Sequence, residues 1–292
     1  MDCLIPSPLD YFAALVADDD SLSLTEAAVA IAQADEPGLD VQAVLTELDT
    51  LAWRLRRRLP DDAAPLHRVR VLHHFLYEDL GLQGGDVDDP AGSHLHEVLR
   101  QRWGIPVSLA VIYLELAGQI GLQVDGLAFP GHFLVKLHLP MGEAVIDPLD
   151  GRSLARHELE ERLEDHLDPS DIDPLGIEAA AGALGELLSA FLQPASPREI
   201  LARMLRNLER IHRGSGDLPR LLQIQHRQVV LEPEDWSWRR ERGRTLASLG
   251  QTGPAIEDLQ AYLDHAGHGA VDRRRVGAQL SALREAGPPR WH

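Results

Sequence analysis

The chain has 292 residues, 44% of them hydrophobic, and sets 46 acidic side chains against 28 basic ones, for a formal charge of −18. That length supports one large or two modest domains with a sizeable core, and a field of that sign repels DNA and anionic membranes, so neither is expected as a partner. The single cysteine, Cys3, excludes an internal disulfide framework and any Cys/His zinc pattern.

The opening segment Met1 to Pro6 has neither a basic leader nor an apolar run, and no stretch is long and apolar enough to span a bilayer; a cytoplasmic protein is expected. Residues 7–80 read as helical. Leu24, Ala27, Ala28, Ile31 and Ala32 keep a helical period. After Pro37-Gly38, Val41, Val44, Leu45, Leu48, Leu51 and Leu55 form the stripe of a second helix, which Pro60 ends. A third carries Leu66, Val69, Leu72, Leu76 and Leu80. Arg54, Arg56, Arg57 and Arg58, like Arg273 to Arg275 further on, read as solvated helix faces. The histidines are scattered, and the spacings of His73/His74 and His94/His96 suit no standard site, so no metal and no cofactor is expected.

A glycine- and aspartate-rich loop, residues 81–92, precedes a short helix over 93–102. Residues 109–120 are almost wholly apolar, which predicts a helix buried on most sides and ended by Gly121. Strand-like runs follow at 124–129, 132–139 and 144–146, the second alternating Phe133, Val135, Leu137 and Leu139 with His132, Lys136 and His138. A helix followed by an antiparallel meander is an α+β signature. Residues 166–177 form a Pro/Asp-rich linker whose aspartates are too irregular for an EF-hand loop. From 196 the chain is helical again, in pairs with a period near 34–37 residues. Leu249-Gly250-Gln251 and Ala255-Ile256 fall where a tetratricopeptide repeat puts its glycine turn and its small packing residues, and about two repeats fit.

Three polar residues stand out. Ser108 follows Gly104-Ile105-Pro106-Val107 at a helix entry, His132 lies in Phe129-Pro130-Gly131-His132-Phe133, and Asp147 closes a strand in Ile146-Asp147-Pro148. A hydroxyl, an imidazole and a carboxylate in that order are the parts of a nucleophilic triad. Each has a structural role open to it as well. Ser108 suits a helix N-cap, His132 a buried hydrogen bond to Asp147, and Asp147 the turn that Asp-Pro favours. If catalysis exists, Ser108 is the nucleophile, His132 the base and Asp147 its orienter.

The order and spacing resemble the cysteine–histidine–aspartate core of the transglutaminase-like (papain-like) fold, with Ser108 at the nucleophile position. Residues 29–285 resemble a bacterial family, the Sir-B type regulators, that joins such a core to a C-terminal tetratricopeptide-repeat segment. The resemblance rests on Leu39-Asp40-Val41, Ser93 to Leu99, Gly104 to Leu109, Gly126 to Val135, Ile146-Asp147-Pro148 and Arg203 to Leu208. It implies a transglutaminase-like domain with a helical N-terminal part over 1–165, a linker and connecting helix over 166–195, and an all-α repeat-like domain over 196–286. A hydroxyl is a far weaker nucleophile than a thiolate near neutral pH. The expected function is therefore a non-catalytic regulator or scaffold that binds a protein partner through its helical repeats. The alternative is a Ser-His-Asp hydrolase or acyltransferase acting on protein amides or esters, which requires Ser108 Oγ beside His132 in an open cleft.

Overall fold

The computed structural model describes residues 6–166, 177–267 and 270–286, so most of the expected linker lies outside the described residues. In chain order the elements are α1 (Pro8–Leu15), α2 (Leu24–Ile31), α3 (Val41–Arg56), α4 (Pro65–His73), β1 (Gln83–Gly84), α5 (Leu95–Gln101), β2 (Trp103–Gly104), α6 (Pro106–Gln119), β3 (Gln123–Leu127), β4 (Leu134–Leu139), β5 (Gly142–Ile146), β6 (Ser153–Leu154), α7 (Arg156–Glu164) and α8 (Ile177–Phe191). Five helices follow among the described residues: α9 (Pro197–Ser215), α10 (Leu218–Leu231), α11 (Trp236–Ser248), α12 (Thr252–His265) and α13 (Arg273–Ala286). The architecture is a mixed helix and antiparallel-sheet domain with a helical repeat-like segment.

By contact the chain forms two compact units that are not consecutive in sequence. One holds residues 23–29 and 40–204, the other 1–22, 30–39 and 205–292. This division cuts across the boundaries at 165 and 196 drawn from the sequence. Apolar periodicity says which face of a helix will be covered, but not by what.

In the first unit β3 to β6 form an antiparallel meander in sequence order, with Gly126 opposite Val135, Val135 opposite Ile146, and Val145 opposite Leu154. Alternation sends Val124, Val135, Leu137 and Ile146 to one face, where α6 packs. The uniform apolarity of α6 follows from its place: Leu109, Ala110, Val111, Ile112, Leu116 and Ala117 are all buried. The opposite face carries Leu127 and Leu134 against Leu159, Leu163 and Leu188 of α7 and α8. Lys136 points to this second face and is buried too, its ammonium donating to the Leu192 carbonyl at 2.9 Å.

Several local readings change. α6 begins at Pro106, three residues earlier than apolarity alone suggests, because proline's fixed φ and missing N–H suit the first helical position. Ser108 is thus the third residue of the helix and not its N-cap, which is Ile105. α4 continues through a π-helical turn over His74–Asp79. β6 and the parallel β1–β2 pair are two residues each, too short to show any alternation in sequence.

In the second unit α10 to α13 pack successively. Leu259, Tyr262, Val276 and Leu280 form one cluster and Leu222, Leu246 and Ala255 another. A side chain at Gly243 would meet Leu259 Cγ at 2.9 Å, so α11 and α12 approach closely there. Gly250 takes φ +74° in the turn between them. α1 packs on α10 through the fully buried Phe12, 6.0 Å from the Arg227 guanidinium. Burial pushes Arg227 down to about 10, with Asp35 opposing, so it stays charged at neutral pH.

Candidate functional site

The hairpin formed by β4 and β5 sets the site. Its two-residue turn, Pro140-Met141, returns the chain antiparallel, so the loop before β4 and the end of β5 lie side by side. Gly131, at φ +64°, bends that loop and presents His132; Asp147 follows β5 directly. His132 Nε2 is 2.9 Å from Asp147 Oδ1. That same oxygen accepts the Leu149 N–H at 3.1 Å, and Oδ2 accepts both terminal nitrogens of Arg162 at 3.0 Å each.

Asp147 is a buried carboxylate whose two oxygens are both multiply engaged, its side chain 7% exposed against 17% for His132. Burial by itself raises its pKa. The bonds from His132, the Leu149 N–H and Arg162 outweigh burial and hold the carboxyl below the usual range. An ionised Asp147 fixes the Nε2–H tautomer of His132 and leaves Nδ1 as the ring nitrogen not engaged by Asp147. This is an imidazole oriented by a carboxylate, which is in turn anchored by a forked guanidinium.

Tyr77, in the π-helical turn, donates its hydroxyl to the Pro148 carbonyl at 3.2 Å. Burial and the nearby Asp150 and Asp147 carboxylates push its pKa up, so the phenol stays protonated. Gly151 makes room for the Tyr77 ring: φ there is +74°, and any side chain would strike it. Gly131 does the same for His166, whose Nδ1 is 2.9 Å from the Arg162 carbonyl. Behind Tyr77, His73 meets the Tyr113 hydroxyl at 2.8 Å, and burial lowers the His73 pKa.

Ser108 faces elsewhere. It is fully buried, and its hydroxyl donates to the Gly92 carbonyl at 2.6 Å while accepting the Ile105 N–H at 3.1 Å. The second bond is the backward reach of a third helical residue to its own cap. The structure therefore brings His132 and Asp147 together, and the Ser108 hydroxyl bonds to neither. The open cleft that a serine nucleophile needs is not present at Ser108.

Arg162, Tyr77 and His166 are site residues that sequence reasoning misses. Arg162 reads as one more charged residue of a polar helix, and only the placement of α7 beside β5 reveals its partner. Tyr77 lies in an otherwise helical pattern whose π-turn leaves no sequence mark.

A helix on an antiparallel meander, with a histidine–aspartate pair at the ends of adjacent strands, defines the class. Residues 42–206 match the transglutaminase-like superfamily and residues 208–281 match the tetratricopeptide repeat. The chain belongs to the transglutaminase-like superfamily, with a repeat segment after the core. It is similar to a UPF0162 protein of Xylella fastidiosa, at 34% identity over 249 residues, covering 84% of this chain and 85% of the relative. The UPF0162 protein of Pseudomonas aeruginosa is 33% identical over 238 residues, 80% of this chain and 76% of its own. That of Vibrio cholerae is 26% identical over 252 residues, 85% and 88% of the two chains. No solved structure matches the chain. No helix among the described residues is long and apolar enough to cross a membrane.

Proposed function

We propose that this is a non-catalytic regulatory or scaffold protein of the Sir-B type, acting in the cytoplasm, which binds protein partners through a degenerate transglutaminase-like domain and its helical repeats. The observation that carries this reading is the Ser108 hydroxyl: fully buried, and committed to Gly92 and Ile105. A serine nucleophile has to pass its proton to the base during attack, and His132 is not among its partners. His132, Asp147 and Arg162 then serve as a rigid clasp between the β4–β5 hairpin and α7. The repeat segment supports the partner-binding half of the proposal, because stacked helix pairs present extended surfaces suited to proteins.

The His132–Asp147 pair, 2.9 Å apart, is what favours the second reading, a Ser-His-Asp hydrolase or acyltransferase. A fluorophosphonate probe on the full chain separates the two. The expected result is no labelling at Ser108 above a denatured control. Stoichiometric labelling there, abolished by His132→Ala, overturns the scaffold reading. For the binding half, the double substitution Arg274→Glu/Arg275→Glu, on the exposed face of α13, is expected to reduce partner capture by the otherwise folded chain. Undiminished capture would place binding elsewhere.

A further inference from the structure

The seam between α10, α11 and α12 has an apolar layer and, one helical turn away, a charged one. Leu222, Leu246 and Ala255 make the apolar layer. His226 lies one turn beyond Leu222 on α10, Arg242 one turn before Leu246 on α11, and Asp258 one turn beyond Ala255 on α12. Arg242 forks onto Asp258, Nε to Oδ2 and Nη2 to Oδ1 at 2.7 Å each, and its Nη1 lies 3.3 Å from His226 Nδ1. The Asp258 side chain is 5% exposed and that of Arg242 16%, so salt and water screen this layer little.

A guanidinium only donates. His226 Nδ1 is therefore the acceptor, its proton sits on Nε2, and the ring is neutral. Burial disfavours the imidazolium most and the Arg242 charge next; Asp258 opposes them, Arg227 adds to them, and the pKa falls below its ordinary value. Arg239 of α11 faces Asp258 from 3.7 Å. The other elements packed on α10 meet different residues of it. Glu209 of α9 accepts from Gln228 at 3.0 Å, Asp35 faces His212 and Arg220 at 3.5 and 3.6 Å, and Phe12 of α1 lies against Arg227.

The two sides of the charged layer are fastened unequally. α11 and α12 share the two-bonded fork, and a side chain at Gly243 would meet Asp258 Cβ at 3.2 Å, so the two helices are in close contact there. Across to α10, the layer is joined among the described residues by the Nη1–Nδ1 bond alone. That bond exists only while Nδ1 is bare. A proton there sets N–H against N–H between two cations.

We propose that His226 is a proton-sensitive joint between the first and second helix pairs: uptake of a proton from solvent at Nδ1 breaks its bond from Arg242 and loosens α10 from α11, while α11 and α12 stay fastened. Arg242 does not yield instead, because Asp258 holds it by two nitrogens and a guanidinium keeps its charge. The unfolded chain takes up the proton first, so the seam has its full strength above about pH 6.5 and loses it as pH falls through the folded value. The stacking of helix pairs sets the curvature of a repeat array, so the joint alters the surface that the segment presents. This goes beyond the scaffold reading and does not depend on it.

Hydrogen exchange of the full chain, near pH 7.5 and near pH 5.5 and corrected for the intrinsic pH dependence of exchange, is the test. At the lower pH, α10 is expected to open more often, by up to about tenfold for each unit that the folded pKa lies below the unfolded one. Protection in α12 and β4 is expected to be unchanged. His226→Gln, whose amide oxygen accepts from Arg242 at either pH, is expected to abolish the difference. The His226 ring signals of the wild-type chain, followed by NMR, are expected to titrate below pH about 6.5, in step with the change in exchange; this readout stands even if the variant does not fold. The proposal is overturned if acid leaves α10 protected, if α12 loosens as early as α10, or if His226→Gln keeps the wild-type difference. It is also overturned if His226 titrates at or above its ordinary value, since Asp258 and not Arg242 would then govern its proton.

Discussion

Asp147 takes hydrogen bonds from an imidazole, a backbone N–H and a guanidinium while its side chain is only 7% exposed. Hydrogen bonds to a charged group contribute about 1.5–3 kcal/mol each, and a broken set leaves its partners unmatched. Asp147→Asn is expected to cost about 2 kcal/mol at neutral pH, measured by urea unfolding. Its carboxyl has a lowered pKa when folded. The stabilisation is therefore complete above the unfolded value of about 3.9 and is lost as pH falls through the folded value, because the unfolded chain takes up the proton first. The gap between wild type and Asp147→Asn should narrow below pH about 4; a gap constant down to pH 3 would place its origin elsewhere. Ser108 gives a second test. In a Cys3→Ser background, the thiol of Ser108→Cys should resist iodoacetamide in the native protein and react only after unfolding, because the site is fully buried. Rapid native alkylation would mean an open cleft. Both residues were legible in the sequence as chemistry-bearing side chains at turn and helix-entry positions. The pairing of His132 with Asp147 follows from the hairpin turn between them. The isolation of Ser108 does not, since it depends on the Gly92 carbonyl, 16 residues earlier in the chain.

Among the elements, α5 ends in an unusual way. Arg102, its C-terminal neighbour, sits at φ +66°, the one positive-φ residue other than glycine among those described. Its Nη1 is buried without a hydrogen-bond partner among the described residues. A left-handed backbone costs a side-chain-bearing residue about 1–2 kcal/mol, whereas glycine is at home there. Arg102→Gly should therefore raise stability by about 0.5–1 kcal/mol, seen as a higher melting temperature. A lower one would show that the Arg102 side chain makes a contact outweighing its backbone strain. Long elements were readable because many apolar residues repeat one period: α3, α6 and the repeat helices lie within a few residues of where periodicity puts them. Two-residue strands carry no period, and the π-turn after α4 keeps a helical pattern. The second face of the sheet misleads for another reason. Lys136 and His138 alternate with apolar residues as a solvated face would, yet Lys136 is buried, and its ammonium finds the Leu192 carbonyl just after α8.

At the scale of the whole molecule, the N-terminal helix belongs with the C-terminal ones. Residues 1–22 and 30–39 group with 205–292, and Phe12 of α1 is fully buried against α10. Removing a buried phenylalanine side chain costs about 3–5 kcal/mol. Phe12→Ala should thus speed hydrogen exchange in α10 before it does so in β4 or β5; loosening of the sheet first would contradict the grouping. The sequence by itself determined the class of fold, the repeat helices, and the order Ser108, His132, Asp147, because periodicity, turn residues and motif spacing are properties of neighbouring positions. The tertiary structure alone decided that Arg162 anchors Asp147, that Ser108 is bonded away from His132, and that α1 packs on α10. Each of these depends on which surfaces meet across long stretches of chain, and burial and hydrogen-bond geometry between distant segments leave no periodic trace in the residues that make them.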